Sequence, residues 1–257
     1  MKIGSLAAAV KIGIGVMIVL AQGAAAYAAE IKVLHTPAFR AVINDLGPQF
    51  ERSTGHKLVI KVEVSAVLKR QIEAGETFDV AILTRTHIDD LTKQGKIASG
   101  TRAHIARSGI GVGARAGASK PDISSVDAFK RMLLNAKSVT YSAEGASGIH
   151  FNSLLDRLGI AAEMKPKLKP VATGVTAERV ARGEAEIVVA PIPSIVSVPG
   201  VELVGPLPSE LQSYIDFTAG VASGAKEAEA AKALIKFLAA PAAAPVLKAK
   251  GMESASQ

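Results

Sequence analysis

The chain has 257 residues, of which 49% are hydrophobic and 21% charged, a balance that excludes an intrinsically disordered protein. It contains no cysteine, which excludes disulfides, thiol nucleophiles, cysteine-ligated zinc and iron–sulfur clusters, as well as membrane attachment through a lipidated cysteine. The formal net charge is +7, a sign that suggests a nucleic-acid ligand only if the rest of the sequence supports one.

The first 28 residues differ from the rest of the chain. Lys2 and Lys11 give a basic start, residues 12–20 are continuously apolar, and Ala26-Tyr27-Ala28 fits the A-x-A cleavage pattern. Because the apolar run is shorter than the ~20 residues that a membrane span needs, this segment is predicted to be a secretory signal peptide cleaved after Ala28. Its removal lowers the charge to +5. We expect a monomer in the periplasm of a Gram-negative cell, without a membrane anchor.

Strand and helix patterns then alternate, as in a doubly wound α/β fold. A strand at 31–35 precedes Thr36-Pro37, which is typical of a helix start, and Gly55 is expected to end that helix. Further strands are expected at 58–64, 78–83, 110–112, 138–141, 186–190, 201–204 and 214–223. Further helices are expected at 66–74, 87–94, 127–134, 147–158, 176–181 and 228–238, and from Pro241 onward. Residues 165–169 and 191–208 are expected to be loops.

The number of these units favours two α/β lobes over one. We expect the chain to cross between them near residues 107–108 and 211–214. The first lobe then comprises residues 29–107 and 215–257, and the second lobe comprises residues 108–214. Two crossing strands would form the hinge.

Three strand-to-helix turns carry a hydroxyl at a predicted helix start: Thr36-Pro37, Ser65-Ala66 and Ser147-Gly148. Free N–H groups and the helix dipole favour anions at such turns, which lie at the carboxyl ends of parallel strands, where ligands bind. Most capping hydroxyls are structural, so the hypothesis depends on all three turns facing one cleft. Thr173, before another predicted helix, is a further candidate.

Arg85 follows the buried strand at 78–83, and its planar guanidinium suits a carboxylate. A solvated surface side chain is an equally good interpretation of Arg85, and it is the favoured one for Arg40. His35 and His150 neighbour the candidate turns and are possible ligand contacts, whereas His56 and His104 are expected at the surface.

The sequence lacks the motifs of several common functions. The histidines lack metal-ligand spacing, residues 109–113 (GIGVG) lack the full dinucleotide fingerprint and are expected to form a strand, and there is no Walker loop or G-x-S-x-G elbow. With 4% aromatic residues, the basic segment 165–169 offers no stacking platform for bases. We therefore expect no metal, no cofactor and no nucleic acid.

The segment 65–75 (SAVLKRQIEAG), followed by Phe78-Asp79-Val80, resembles the segment after the second strand in periplasmic molybdate-binding proteins. Residues 144–148 resemble that family's second-lobe loop, and residues 228–251 its closing helices, so the resemblance covers most of the mature chain. It implies a type II periplasmic-binding-protein fold, with two lobes, a hinged cleft and an oxyanion delivered to an ABC importer.

Three positions depart from that family's usual site. Ala38 and Pro191 stand where the family has a serine and a tyrosine, and Arg85 adds a cation where a molybdate site relies on neutral donors. Ser65 is retained, and the family's backbone donors map near Ser147 and Thr173. These departures suit a carboxylate-bearing anion at least as well as molybdate.

Two functions follow. The favoured one is a solute-binding protein without catalytic activity, whose predicted ligand-binding residues are Thr36, Ser65, Arg85, Ser147 and Thr173. Aconitate isomerases resemble the same family, so the alternative is an isomerase that moves a proton on a tricarboxylate. Such an enzyme needs a general base, for which the candidates are His35, Glu144 and His150.

Overall fold

The computed structural model describes residues 28–172 and 175–254. Residues 1–27, which are all but the last residue of the predicted signal peptide, and the candidate Thr173 lie outside these described residues. The strands are β1 (Glu30–His35), β2 (Lys57–Val62), β3 (Val80–Thr84), β4 (Ala103–Arg115), β5 (Val139–Ser142), β6 (Leu168–Val171), β7 (Ile187–Pro191), β8 (Val201–Pro206), β9 (Tyr214–Val221) and β10 (Glu253–Ser254).

The helices alternate with these strands along the chain. They are α1 (Arg40–Thr54), α2 (Ser65–Glu73), α3 (Arg85–Lys93), α4 (Val126–Asn135), α5 (Ala146–Arg157), α6 (Ala161–Met164), α7 (Thr176–Ala181), α8 (Ile192–Val196), α9 (Ala228–Ala239) and α10 (Ala244–Ala249). Short 3-10 turns occur at Pro37–Phe39, Lys165–Lys167 and Pro241–Ala243. Among the described residues, no single helix is long and apolar enough to span a membrane, and α9 with Pro241–Ala249 passes that test only as a pair bent by 58°.

The described strands form one mixed sheet in the order β2-β1-β3-β9-β4-β7-β5-β6, and β8 and β10 pair with β4 beside this path. β1 runs parallel to β2 and β3, and β5 runs parallel to β6 and β7. β9 is antiparallel to β3 and β4. The predicted α/β fold with two wound lobes is confirmed, and parallel strands bring the candidate turns of each lobe to one edge.

β4 joins the two lobes. Its residues 103–109 pair with β9, whereas residues 110–114 pair with β7, so the partner changes between Gly109 and Ile110. The Gln212 side chain braces this point, because its Oε1 accepts from the Ile110 N–H at 2.8 Å and its Nε2 donates to the Ile110 carbonyl at 3.0 Å. β4 is therefore one connection between the lobes, while the second hinge strand and the lobe boundaries 29–107 with 215–257 and 108–214 remain predictions.

Of the differences from the sequence prediction, three have a clear physical reason. β4 spans 13 residues, whereas the sequence predicted a strand only at 110–112. The first half of β4 has mixed polarity, so apolar patterning does not reveal it, and it forms by pairing with β9. β6 lies in the basic segment predicted as a loop and pairs with β5 as a partly exposed edge strand. α8 is a single turn of helix within the segment 191–208, where its prolines suggested a loop.

A stability test follows from Gly148 in α5. A Cβ at this position would overlap the carbonyl oxygen of Ser142, at the end of β5. We predict that Gly148→Ala lowers the free energy of unfolding by about 1–3 kcal/mol through overpacking, although alanine is otherwise the better helix former. Gly224→Ala is the matched control, because a Cβ there meets open space. Equal urea midpoints for G148A and the wild type would contradict this packing.

A second test concerns His35, which is buried at the end of β1. The pKa of His35 is lowered from 6.5 to about 4, mainly by burial. The positive charge of Arg40 also lowers this pKa, and the hydrogen bond from Nδ1 to the Thr36 carbonyl partly opposes the shift. Because the folded-state pKa is depressed, unfolding takes up a proton between pH 6.5 and 4, so stability is complete above this window and is lost as the pH falls through it.

We predict a loss of roughly 3 kcal/mol by pH 4 from this residue alone. Denaturant unfolding of the wild type and of His35→Asn at pH 7 and at pH 4.5 measures it. The wild type should lose more free energy of unfolding on acidification than the variant does. Parallel losses in both proteins would show that His35 does not carry the effect.

Candidate functional site

A cavity of about 480 Å³ lies between the lobes, where β1, β3, β5 and β7 end. Ligands bind at this edge of parallel sheets, and the volume lies within the range of small-molecule pockets. Thr36, Ser65 and Arg85 line it from the first lobe, and Ser147 lines it from the second. Four of the five predicted ligand-binding residues therefore meet in one cavity, and the fifth, Thr173, lies outside the described residues.

The turn after β1 presents an unpaired hydroxyl. Thr36 is in the N-cap position of the 3-10 turn Pro37–Phe39, but its hydroxyl makes no capping hydrogen bond. Within the described chain, the buried Thr36 Oγ1 has no partner at all. The turn is held by Phe39, whose ring packs edge-on against Phe217 at 5.3 Å between centroids. A buried hydroxyl without a partner costs free energy, and a ligand in the cavity can satisfy it.

Ser65 does not cap α2, so the predicted capping role is wrong. Val64 is in the N-cap position, and Ser65 is the first helical residue. Its Oγ instead accepts a hydrogen bond from the Thr84 N–H at 3.1 Å, which ties the start of α2 to the start of α3. The first N–H groups of α2 have no carbonyl partner inside the helix, and they start at the cavity wall.

α3 brings a cation and an imidazole to the cavity. Arg85 is its first residue, with an exposed side chain that makes no ion pair or hydrogen bond among the described residues. His87, in the same turn, also lines the cavity, and its Nδ1 lies 2.7 Å from Thr84 Oγ1. His87 was not among the residues predicted for the site, although its position just after the end of a buried strand was an available signal.

The second lobe contributes Ser142 and Ser147. Ser142 ends β5, and its buried Oγ, like that of Thr36, lacks a partner in the described part of the chain. α5 begins at Ala146 with Gly145 as N-cap, so Ser147 lies inside the first turn rather than before it. Ser147 is buried and lines the cavity. Sequence reasoning missed Ser142, because a serine ending a strand carries no distinctive pattern.

Two ion pairs cross from lobe to lobe beside the cavity. Arg70 Nη2 of α2 lies 2.6 Å from Glu144 Oε2 of the β5–α5 loop. Arg40 Nη1 of α1 lies 3.4 Å from Glu178 Oε1 of α7. Partly exposed pairs of this kind contribute roughly 0.2–1 kcal/mol each, so they favour approach of the lobes without locking them. Arg40 is thus paired rather than freely solvated, and Glu144 lines the cavity already engaged with a cation.

The two histidines selected from the sequence lie elsewhere. His35 is buried behind the cavity, and His150 Nε2 lies 2.8 Å from the Leu211 carbonyl near the hinge. Neither lines the cavity. In the described ranges, no three His, Asp or Glu side chains are placed to hold a metal ion.

The arrangement combines anion and apolar recognition. Hydroxyls from both lobes and a free guanidinium supply donors, while Ile149, Pro191 and Phe217 supply apolar wall. Such a surface matches a small organic anion, whose carboxylates take the donors and whose carbon chain meets the apolar side chains.

Comparisons with known proteins agree with this fold. A family model described as bacterial extracellular solute-binding protein matches residues 31–253. An aconitate isomerase from Pseudomonas sp. is 30% identical over 229 residues, 87% of each chain. The molybdate-binding protein ModA of Azotobacter vinelandii is 30% identical over 241 residues, 88% of this chain and 91% of that one.

A solved structure extends the likeness to the whole fold. The periplasmic molybdate-binding protein of Azotobacter vinelandii superposes with a TM-score of 0.73, at 20% identity, over 86% of this chain and 98% of that one. The resemblance predicted from the segment 65–75 is therefore confirmed, as is the type II periplasmic-binding fold. The chain belongs to the family of bacterial extracellular solute-binding proteins.

Proposed function

We propose that the mature chain captures a small organic polycarboxylate in the cleft between its lobes and presents it to an ABC importer. The observation that carries this proposal is Arg85, an unpaired guanidinium among the described residues, in a cavity lined by hydroxyls from both lobes. A planar cation of this kind binds a carboxylate through two parallel hydrogen bonds.

The cavity lining supports a carboxylate over molybdate. Ala38 and Pro191, which replace a serine and a tyrosine of the resembling family, both line the cavity and offer no side-chain donor. Thr36 and Ser142 carry buried, unpartnered hydroxyls on opposite sides of the cleft. The lining therefore offers donors from both lobes and a free cation in a cavity of about 480 Å³, a combination that suits a molecule with several anionic groups.

Location and partners follow from the family and the sequence. Membership in a family of extracellular solute-binding proteins implies a permease partner and a place outside the cytoplasm. We infer that the segment up to Ala28 is a cleaved signal peptide, that the product is periplasmic and unanchored, and that it acts as a monomer. Its positive charge of +5 after cleavage attracts small anions.

A second candidate function is isomerisation of a tricarboxylate. The specific observation in its favour is the 30% identity to an aconitate isomerase across 87% of both chains. The same cavity also holds an imidazole, that of His87, beside Arg85. Binding and catalysis would then share one ligand and one site, and they differ only in whether a proton moves.

The first functional prediction concerns the ligand. Titration calorimetry of the mature chain with trans-aconitate, citrate, molybdate and sulfate should give heat with a polycarboxylate and a weaker response with the two inorganic ions. Binding of molybdate with no response to any carboxylate would contradict the proposal.

The second concerns Arg85. Arg85→Ala should weaken polycarboxylate binding by about 1.5–3 kcal/mol, or 10- to 150-fold in Kd, because a charge-assisted hydrogen-bond pair is lost. Arg52→Ala is the matched control, since Arg52 is exposed in the last turn of α1, away from the cavity. Equal Kd values for the wild type and R85A would show that Arg85 does not bind the ligand.

A further inference from the structure

His87 is held in one orientation at the cavity wall. Its Nδ1 lies 2.7 Å from Thr84 Oγ1, and this hydroxyl also lies 3.4 Å from Thr86 Oγ1. Its Nε2 has no hydrogen-bond partner among the residues that the structure describes. When Nδ1–H donates to Thr84, Nε2 carries the free lone pair. The imidazole is thus positioned by the protein through one nitrogen and left open at the other.

The surroundings keep this imidazole neutral. Partial burial lowers the pKa of His87 below its ordinary 6.5, and the positive charge of Lys69 lowers it further, while Asp90 and Glu73 oppose the shift. A neutral imidazole near neutral pH is the form that a general base requires.

The candidate bases predicted from the sequence are less well placed. His35 and His150 do not line the cavity, and their imidazoles are bonded to the carbonyls of Thr36 and Leu211. Glu144 lines the cavity but is paired with Arg70 at 2.6 Å. Of these four groups, His87 combines a place in the cavity with an uncommitted nitrogen.

We propose that His87 Nε2 is the general base that moves the proton on a tricarboxylate such as trans-aconitate, an inference that rests on the second function proposed above. Nε2 takes a proton from the methylene carbon, and the electron pair of that C–H bond enters the adjacent π system. The double bond shifts by one carbon, and the imidazolium returns the proton to the far carbon of the allylic unit. Arg85 pairs with a carboxylate that shares the transient negative charge. No oxidant, reductant or co-reactant is needed.

The test compares the mature wild type with His87→Gln and with His56→Gln. His56 is the matched control, because it accepts from the Ala29 N–H at 3.2 Å and lies outside the cavity. Three quantities are measured: interconversion of cis- and trans-aconitate, deuterium uptake at the methylene carbon in D₂O, and Kd for trans-aconitate by calorimetry. We expect H87Q to lose at least about 100-fold in kcat and to stop deuterium uptake, with Kd within about threefold of wild type, whereas H56Q matches the wild type.

A pH profile separates proton transfer from a structural role. The wild-type kcat/KM should rise with pH along an acid limb set by a pKa below 6.5, and this limb should be absent from the residual activity of H87Q. A wild type that binds trans-aconitate without interconversion or deuterium uptake overturns this inference and leaves the binding function intact. A wild type that binds no carboxylate overturns the binding function itself. Full turnover by H87Q, or loss of turnover with unchanged Kd in His150→Gln, would place the base elsewhere.

Discussion

The structure depends on one strand that serves both lobes. β4 pairs with β9 up to and including Gly109 and with β7 and β8 beyond it, so the two halves of the sheet share one strand. A helix can pack closely on the second half of β4, because the glycines of residues 109–113 (GIGVG) recur at every second position and therefore share one face of the strand. A Cβ at Gly113 would press on Ile195 at 2.6 Å, and one at Gly111 would press on Ile192 at 3.0 Å. Bare backbone thus lets α8 pack onto the strand, and α8 follows directly on Pro191 at the cavity.

This arrangement makes ligand recognition a property of the pair of lobes. In each lobe, a polar side chain at the end of a strand lacks a hydrogen-bond partner. The hydroxyls of Thr36 and Ser142 are both buried without partners in the described chain. A ligand that spans the cleft satisfies both, and it gains fixed N–H and O–H dipoles in exchange for water. The ion pairs Arg70–Glu144 and Arg40–Glu178 bring the lobes together at modest gain. Contacts of this strength leave most of the free energy of ligand binding to the donors that line the cavity.

Much of the fold was predictable because its signals are local. Apolar periodicity and glycine punctuation placed the helices and the buried strands, and the hydroxyl-bearing turns led to Thr36, Ser65 and Ser147 at the cavity. What those hydroxyls do was not predictable, since the partner of Ser65 is the Thr84 N–H, 19 residues away. His87 and Ser142 were missed for a similar reason. The position of His87 just after a buried strand was a local signal, but its uncommitted nitrogen can be seen only in the structure, and so can the missing partner of the Ser142 hydroxyl.

The central claim is that the cleft holds an organic polycarboxylate with donors from both lobes. A crystal structure of the mature chain grown with trans-aconitate tests it most directly. The account predicts density between the lobes, with one carboxylate on Arg85 and another within hydrogen-bond distance of the Thr36 and Ser142 hydroxyls. An empty cleft in such crystals, together with a tetrahedral ion at the same place in crystals grown with molybdate, would contradict it.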